Sequence, residues 1–110
     1  GAHVNGVGSY TPEMIEVPPE LAAAGSVFVG SREGVLAESG EVLSALNQGL
    51  IEEGDLVEIG EVVSGNAAGR INPEQITFFK SVGVAVQDAA AAGLALRTAR
   101  ERGMGQRVDW

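Results

Sequence analysis

The sequence predicts an α/β fold built on a doubly wound, parallel sheet, and three features carry that expectation. Two short apolar runs bounded by glycine, HVNGVG at 3–8 and SVFVG at 26–30, have the look of strands buried on both faces. Between them lies a loop and then a short helical stretch, the pattern of one wrap of such a sheet. From 82 to about 102 the chain is alanine-rich and free of proline, which reads as a long C-terminal helix.

Each element has a local reason. Thr11, Pro12 and Glu13 combine a capping hydroxyl, a pre-set φ and a first-turn acid, the chemistry of a helix start. Pro18 and Pro19 forbid a long helix there, so a short one is expected from Pro19 to its stop at Gly25. After the second strand, Val35, Leu36, Val42, Leu43 and Leu46 suit one or two short helices broken near Gly40. Val57, Ile59, Val62 and Val63 then repeat the style of the strands around a glycine and lead into a polar turn. Asn72 to Gln75 forms a single turn feeding a β-branched and aromatic strand at 76–80. Arg97, Arg100 and Arg102 gather at the end of the last helix, where the macrodipole favours cations, and helix support accounts for them ahead of anion binding. The patch AAAAG at 89–93 is either plain helix propensity or a surface for close helix approach.

Composition bounds the function. The chain has 110 residues, 45% hydrophobic and 20% charged, enough for one small domain with a modest core. No apolar run approaches the roughly 20 residues that cross a bilayer and no secretory layout opens the chain, so a soluble, cytoplasmic protein is expected. The absence of cysteine excludes disulfides, thiolate metal sites and cysteine nucleophiles, and fits a reducing compartment. A net charge of -8 argues against a nucleic-acid partner. Residues 1–80 hold 12 acids against 3 bases, and a solvated acidic face explains that imbalance.

Few residues promise chemistry on their own. His3 is the single histidine, so no histidine triad and no multi-histidine metal site can be assembled within this chain, and no metal is expected. Glu52 with Glu53, and Glu58 with Glu61, sit in surroundings typical of surface carboxylates, and no catalytic residue is assigned. GVG at 6–8, followed by Ser9, is a glycine turn at a strand end, where open α/β sheets bind ligands. No G-x-G-x-x-G runs into a helix and no GxxxxGK phosphate loop is present.

Four blocks, GAHVNGVGSYTPEMIEV, SREGVLAESGEVLSAL, EIGEVVSGNAAGR and ITFFKSVGVAVQDAAAA, resemble in order and spacing the C-terminal third of the ornithine cyclodeaminase and mu-crystallin family. The resemblance implies a Rossmann-like NAD(P) domain lacking its fingerprint half, with 1–80 as the C-terminal part of that domain. It implies that 81–110 is a long helix and tail returning toward a dimerisation domain outside this chain. The implied chemistry is hydride transfer between NAD or NADP and an amine or imine carbon of a small amino acid. By the same resemblance Val7, Gly8 and Ser9, with Lys80, Ser81, Val82 and Gly83, line the nicotinamide end of the cofactor, and Tyr10 faces the substrate. A purely structural strand-to-helix junction at 80–83 is the alternative.

The sequence departs from the family in one informative place. Cyclodeaminases proper carry an aspartate in a G-x-D-x-P-G-K-x-E-L turn, whereas here Tyr10 holds that position and Met14 replaces the lysine. A phenol cannot stand in for a carboxylate near neutral pH. The turn therefore points to the reductase, dehydrogenase or mu-crystallin branch rather than to ornithine cyclisation. The fingerprint, the ribose-reading acid and the substrate-binding basic residues all belong to parts of the family that lie before these blocks. The chain is accordingly expected to be a fragment, inactive alone and binding the cofactor weakly or undetectably, pairing with the missing N-terminal half or with another copy. Two alternatives stand beside this: a non-catalytic, self-associating interaction module, and a part of a true ornithine cyclodeaminase.

Overall fold

The computed structural model describes residues 1–108; Asp109 and Trp110, the end of the expected helix-and-tail segment, lie outside the described residues. The apolar runs become β1 (His3–Gly6), β2 (Ser26–Val29), β3 (Leu56–Glu58) and β4 (Thr77–Lys80). All pair in parallel, in the order β1-β4-β2-β3, so the last strand in sequence lies inside the sheet. Side chains alternate along a strand, and the register therefore places Val4, Phe78, Val27 and Leu56 in one row on one face.

Three helices cover that face: α1 (Pro19–Ala23), α2 (Arg32–Glu38) and α3 (Gly40–Asn47). Ala22, Val35, Val42, Ala45 and Ile51 pack with Val27, Val29, Leu56 and Phe78 into a single core. α1 starts on Pro19, a residue suited to the first helical position. Ser39 ends α2 and caps α3, its hydroxyl accepting the Val42 N–H at 3.4 Å, so the expected break falls at Ser39 and Gly40. A Cβ at Gly40 would strike the carbonyl oxygens of Pro12 and Met14, which rest directly on α3. On the other face, α4 (Ile59–Val63) borders a recess of about 270 Å³ with His3, Phe28, Arg70 and Thr77.

Several boundaries differ from the sequence expectation. Thr11 to Glu13 makes one turn only, closed by the Met14 N–H on the Thr11 carbonyl at 3.0 Å, because the chain must stay close to Gly40 before Pro18 and Pro19 start α1. The apolar stretch after Leu56 is strand only to Glu58; Ile59, Val62 and Val63 are helical, tertiary context overriding β propensity. β1 ends two residues early, at Gly6.

The C-terminal helix, α5 (Ala85–Glu101), begins three residues later than expected. Gly83 sits at φ +94 and Val84 is extended, so neither can belong to a helix. The 17 residues of α5 span about 25 Å and bury no side chain. The radius of gyration of 17.3 Å exceeds the roughly 13 Å of a compact domain this size, since α5 stands off the sheet. Among the described residues no helix is long and apolar enough to cross a membrane.

Candidate functional site

Gly6, Lys80 and Val29 stand side by side at the carboxyl ends of β1, β4 and β2. Chain order reverses here, because β4 returns between two earlier strands, and such switch points are where doubly wound sheets hold ligands. The ladder runs one residue past each strand: the Ser81 N–H donates to the Gly6 carbonyl at 3.1 Å, and the Gly30 N–H to the Lys80 carbonyl at 2.9 Å. Two turns, 7–10 and 81–84, are thereby set next to each other.

The second turn is open to an approaching group. The Gly83 N–H donates to Ser81 Oγ at 3.2 Å, which fixes that hydroxyl, and no atom lies within 4 Å of where a Gly83 Cβ would be. No side chain caps α5, whose N-cap is Val84; within its first turn the Gln87 N–H turns back onto the Val84 carbonyl at 2.9 Å. The first turn offers Val7 and Tyr10, 66% and 62% exposed.

Beneath the turns lies a buried ionic cluster. Lys80 points to the same face as Phe78 and is completely enclosed. Its Nζ donates to Glu16 Oε2 at 2.8 Å, to Ser9 Oγ at 2.5 Å and to the Ser9 carbonyl at 3.1 Å. It also pairs with Glu41 Oε1 at 2.9 Å, in the first turn of α3. The Ser9 hydroxyl donates its own proton to Glu41 Oε2 at 2.9 Å. A buried ammonium needs such partners, since isolated burial of a charge is prohibitive. The Lys80 hydrogen bond, with backbone N–H groups of Ser9 and Gly8, lowers the Glu16 pKa from 4.5 to about 2. Gly8 is part of the same fit, because a Cβ there would come within 2.6 Å of Glu16 Oε1.

The structure gathers all of the residues singled out in sequence at one end of the sheet, but in two layers. Val7, Gly8, Tyr10 and Gly83 face solvent, and Ser81 and Val82 are half-buried. The side chains of Ser9 and Lys80 point inward and are spent on each other and on carboxylates, so neither can touch a ligand from there. Glu16 and Glu41 were missed by sequence reasoning, which treats the acids as solvated. One signal was available: the chain's single lysine ends an aromatic strand, where an enclosed cation must find an anion. His3 lies on the opposite face, its ring nitrogens 2.7 Å from Thr77 Oγ1 and 3.1 Å from Asn5 Oδ1. Among the described residues no three His, Cys, Asp or Glu side chains come together to hold a metal.

The model of the ornithine cyclodeaminase/mu-crystallin family matches residues 1–103. The chain belongs to that family. The Δ(1)-pyrroline-2-carboxylate reductase of Bacillus cereus is 43% identical over 112 residues, covering 100% of this chain and 34% of that protein. The mouse ketimine reductase mu-crystallin is 42% identical over 95 residues, covering 86% of this chain and 28% of that protein. Among solved structures, Δ(1)-pyrroline-2-carboxylate reductase of Thermococcus litoralis in complex with NADH and L-proline superposes with a TM-score of 0.86 at 41% identity, over 98% of this chain and 34% of that one. The chain therefore spans about a third of the length of the family members it matches.

Proposed function

We propose that this chain supplies the nicotinamide-side wall of an NAD(P)-dependent oxidoreductase that transfers hydride to or from an amine or imine carbon of a small amino acid. The observation that carries the reading is the convergence of turns 7–10 and 81–84 at the switch point, in a chain whose family includes reductases of cyclic imino acids. The residues suit that end of the cofactor. Val7 offers an apolar surface to a flat ring, Ser81 a held hydroxyl, and Gly83 room for backbone approach. When bound, the cofactor supplies or accepts the hydride; these residues orient the ring and exclude water from one side.

The pyrophosphate end is another matter, because the chain has no G-x-G-x-x-G. Alone it should turn over nothing and bind either cofactor weakly, its activity needing the other two thirds of a family-length protein, on the same polypeptide or another. Tyr10 favours imine reduction over ornithine cyclisation, since a phenol does not bring the negative charge of a carboxylate to the substrate. Substrate-side contact through its hydroxyl is the role assigned to it.

A partner is part of the proposal. The outer edge of β1 has no strand beside it among the described residues, and α5 exposes Val86, Leu94 and Leu96. The family-length remainder or a second copy would cover both. The second reading, a self-associating module without catalysis, draws on the same two surfaces.

The test replaces the matching third of the Bacillus cereus reductase with these 110 residues and follows reduced-nicotinamide oxidation with Δ(1)-pyrroline-2-carboxylate. Turnover that falls in Tyr10→Phe is expected. A folded chimera that neither binds cofactor nor turns over would overturn the proposal and favour the interaction module.

A further inference from the structure

The cluster under the turns does more than neutralise a charge. Four oxygens surround the Lys80 ammonium, and three of them belong to the loop between β1 and α1: Ser9 Oγ, the Ser9 carbonyl and Glu16 Oε2. The fourth, from Glu41, belongs to α3. The loop is thus tied to one cation at both of its ends, and the cation is anchored in the sheet and on a helix. Between the ties, Tyr10 and Ile15 are exposed and the backbone makes a single turn bond, from Met14 to Thr11. The loop's other anchor, the seat of the Pro12 and Met14 carbonyls against Gly40 of α3, lies beyond Tyr10 and leaves the turn 7–10 to the cation.

We propose that Lys80 is a positioning residue, whose buried ammonium, acting through Ser9, Glu16 and Glu41, fixes the turn 7–10 and so sets where Tyr10 stands. This rests on the reading of that turn as the nicotinamide-side wall. The short Ser9 to Lys80 contact has the distance of a nucleophile and its base, yet both side chains are shut off from solvent and the Ser9 proton goes to Glu41. No substrate reaches them; the pair holds rather than reacts.

The chain provides its own probe, having one tyrosine, Tyr10, and one tryptophan, Trp110. In a Trp110→Phe background the emission anisotropy of Tyr10 reports the mobility of the turn alone. Lys80→Met/Glu41→Leu replaces the buried pair with apolar side chains of similar length, an exchange that commonly preserves folding stability. It also leaves Ser9 and Glu16 without their cation. The expected result is a cooperative melt close to that of the parent and a clear fall in Tyr10 anisotropy. Should the double variant fail to fold, Glu16→Leu removes only the outer acceptor of the cation and is expected to lower the anisotropy by a smaller amount. Unchanged anisotropy in a folded variant overturns the proposal.

The same variants in the reductase chimera separate this from the functional reading. Loss of positioning predicts a kcat/KM lower by about ten- to a hundredfold, carried by a raised cofactor KM. A parent chimera with no cofactor binding refutes the nicotinamide-wall reading, while the anisotropy still decides whether Lys80 holds the turn.

Discussion

Lys80 Nζ and Glu41 Oε1 lie 2.9 Å apart, 39 positions distant in sequence, with both side chains wholly enclosed. This pair joins an inner strand of the sheet, β4, to the first turn of α3 and draws the loop after β1 down onto both. A buried ion pair of this kind stabilises little relative to apolar side chains, but losing one partner strands the other.

Lys80→Met alone should therefore lower folding stability by about 3–5 kcal/mol, with Glu41 left buried beside no cation. The double Lys80→Met/Glu41→Leu variant should recover most of that loss. Urea unfolding of the two proteins, compared with the parent, checks the sign and the recovery. Equal destabilisation in both would mean that the pair is not coupled as described.

Acid should weaken the loop through Glu16. Its pKa lies at about 2 in the folded chain against an ordinary 4.5, so ionised Glu16 favours the folded state. The contribution is fully present above pH 4.5 and is lost as pH falls from 4.5 toward 2. The urea midpoint measured across that window should drop more steeply for the parent than for Glu16→Gln. Parallel curves would remove Glu16 from the account.

Two glycines of similar appearance should respond in opposite directions. At Gly40 a methyl group would meet the backbone carbonyls of Pro12 and Met14, so Gly40→Ala should destabilise by about 1–3 kcal/mol and loosen the loop. Gly60, within α4, has no atom within 4 Å of such a methyl group and no left-handed φ. Gly60→Ala should stabilise by about 0.4–1 kcal/mol. Thermal melts of the two variants suffice to compare them.

Much of the fold was legible because its signals are local. The apolar runs at β1 and β2, the proline start of α1 and the serine and glycine between α2 and α3 each encode their element within a few residues. The position of β4 between β1 and β2 was not, since it depends on pairing across more than 70 residues with β1. The start of α5 was misplaced because residues 82–84 carry helix-compatible side chains while the Gly83 backbone is left-handed. Of the site, the two turns were visible through their glycines and their family resemblance. The inward half was hidden: a glutamate looks the same in sequence whether its partner is water or a lysine 64 positions away.

The most direct measurement follows the backbone amide resonances of the isotopically labelled chain as NADH is added at high concentration. The account predicts weak, saturable shifts concentrated at Val7, Gly8, Ser81 and Gly83, with the helices α1 and α3 unmoved. No shifts at these amides, or shifts centred instead on the recess around His3 and Arg70, would contradict it.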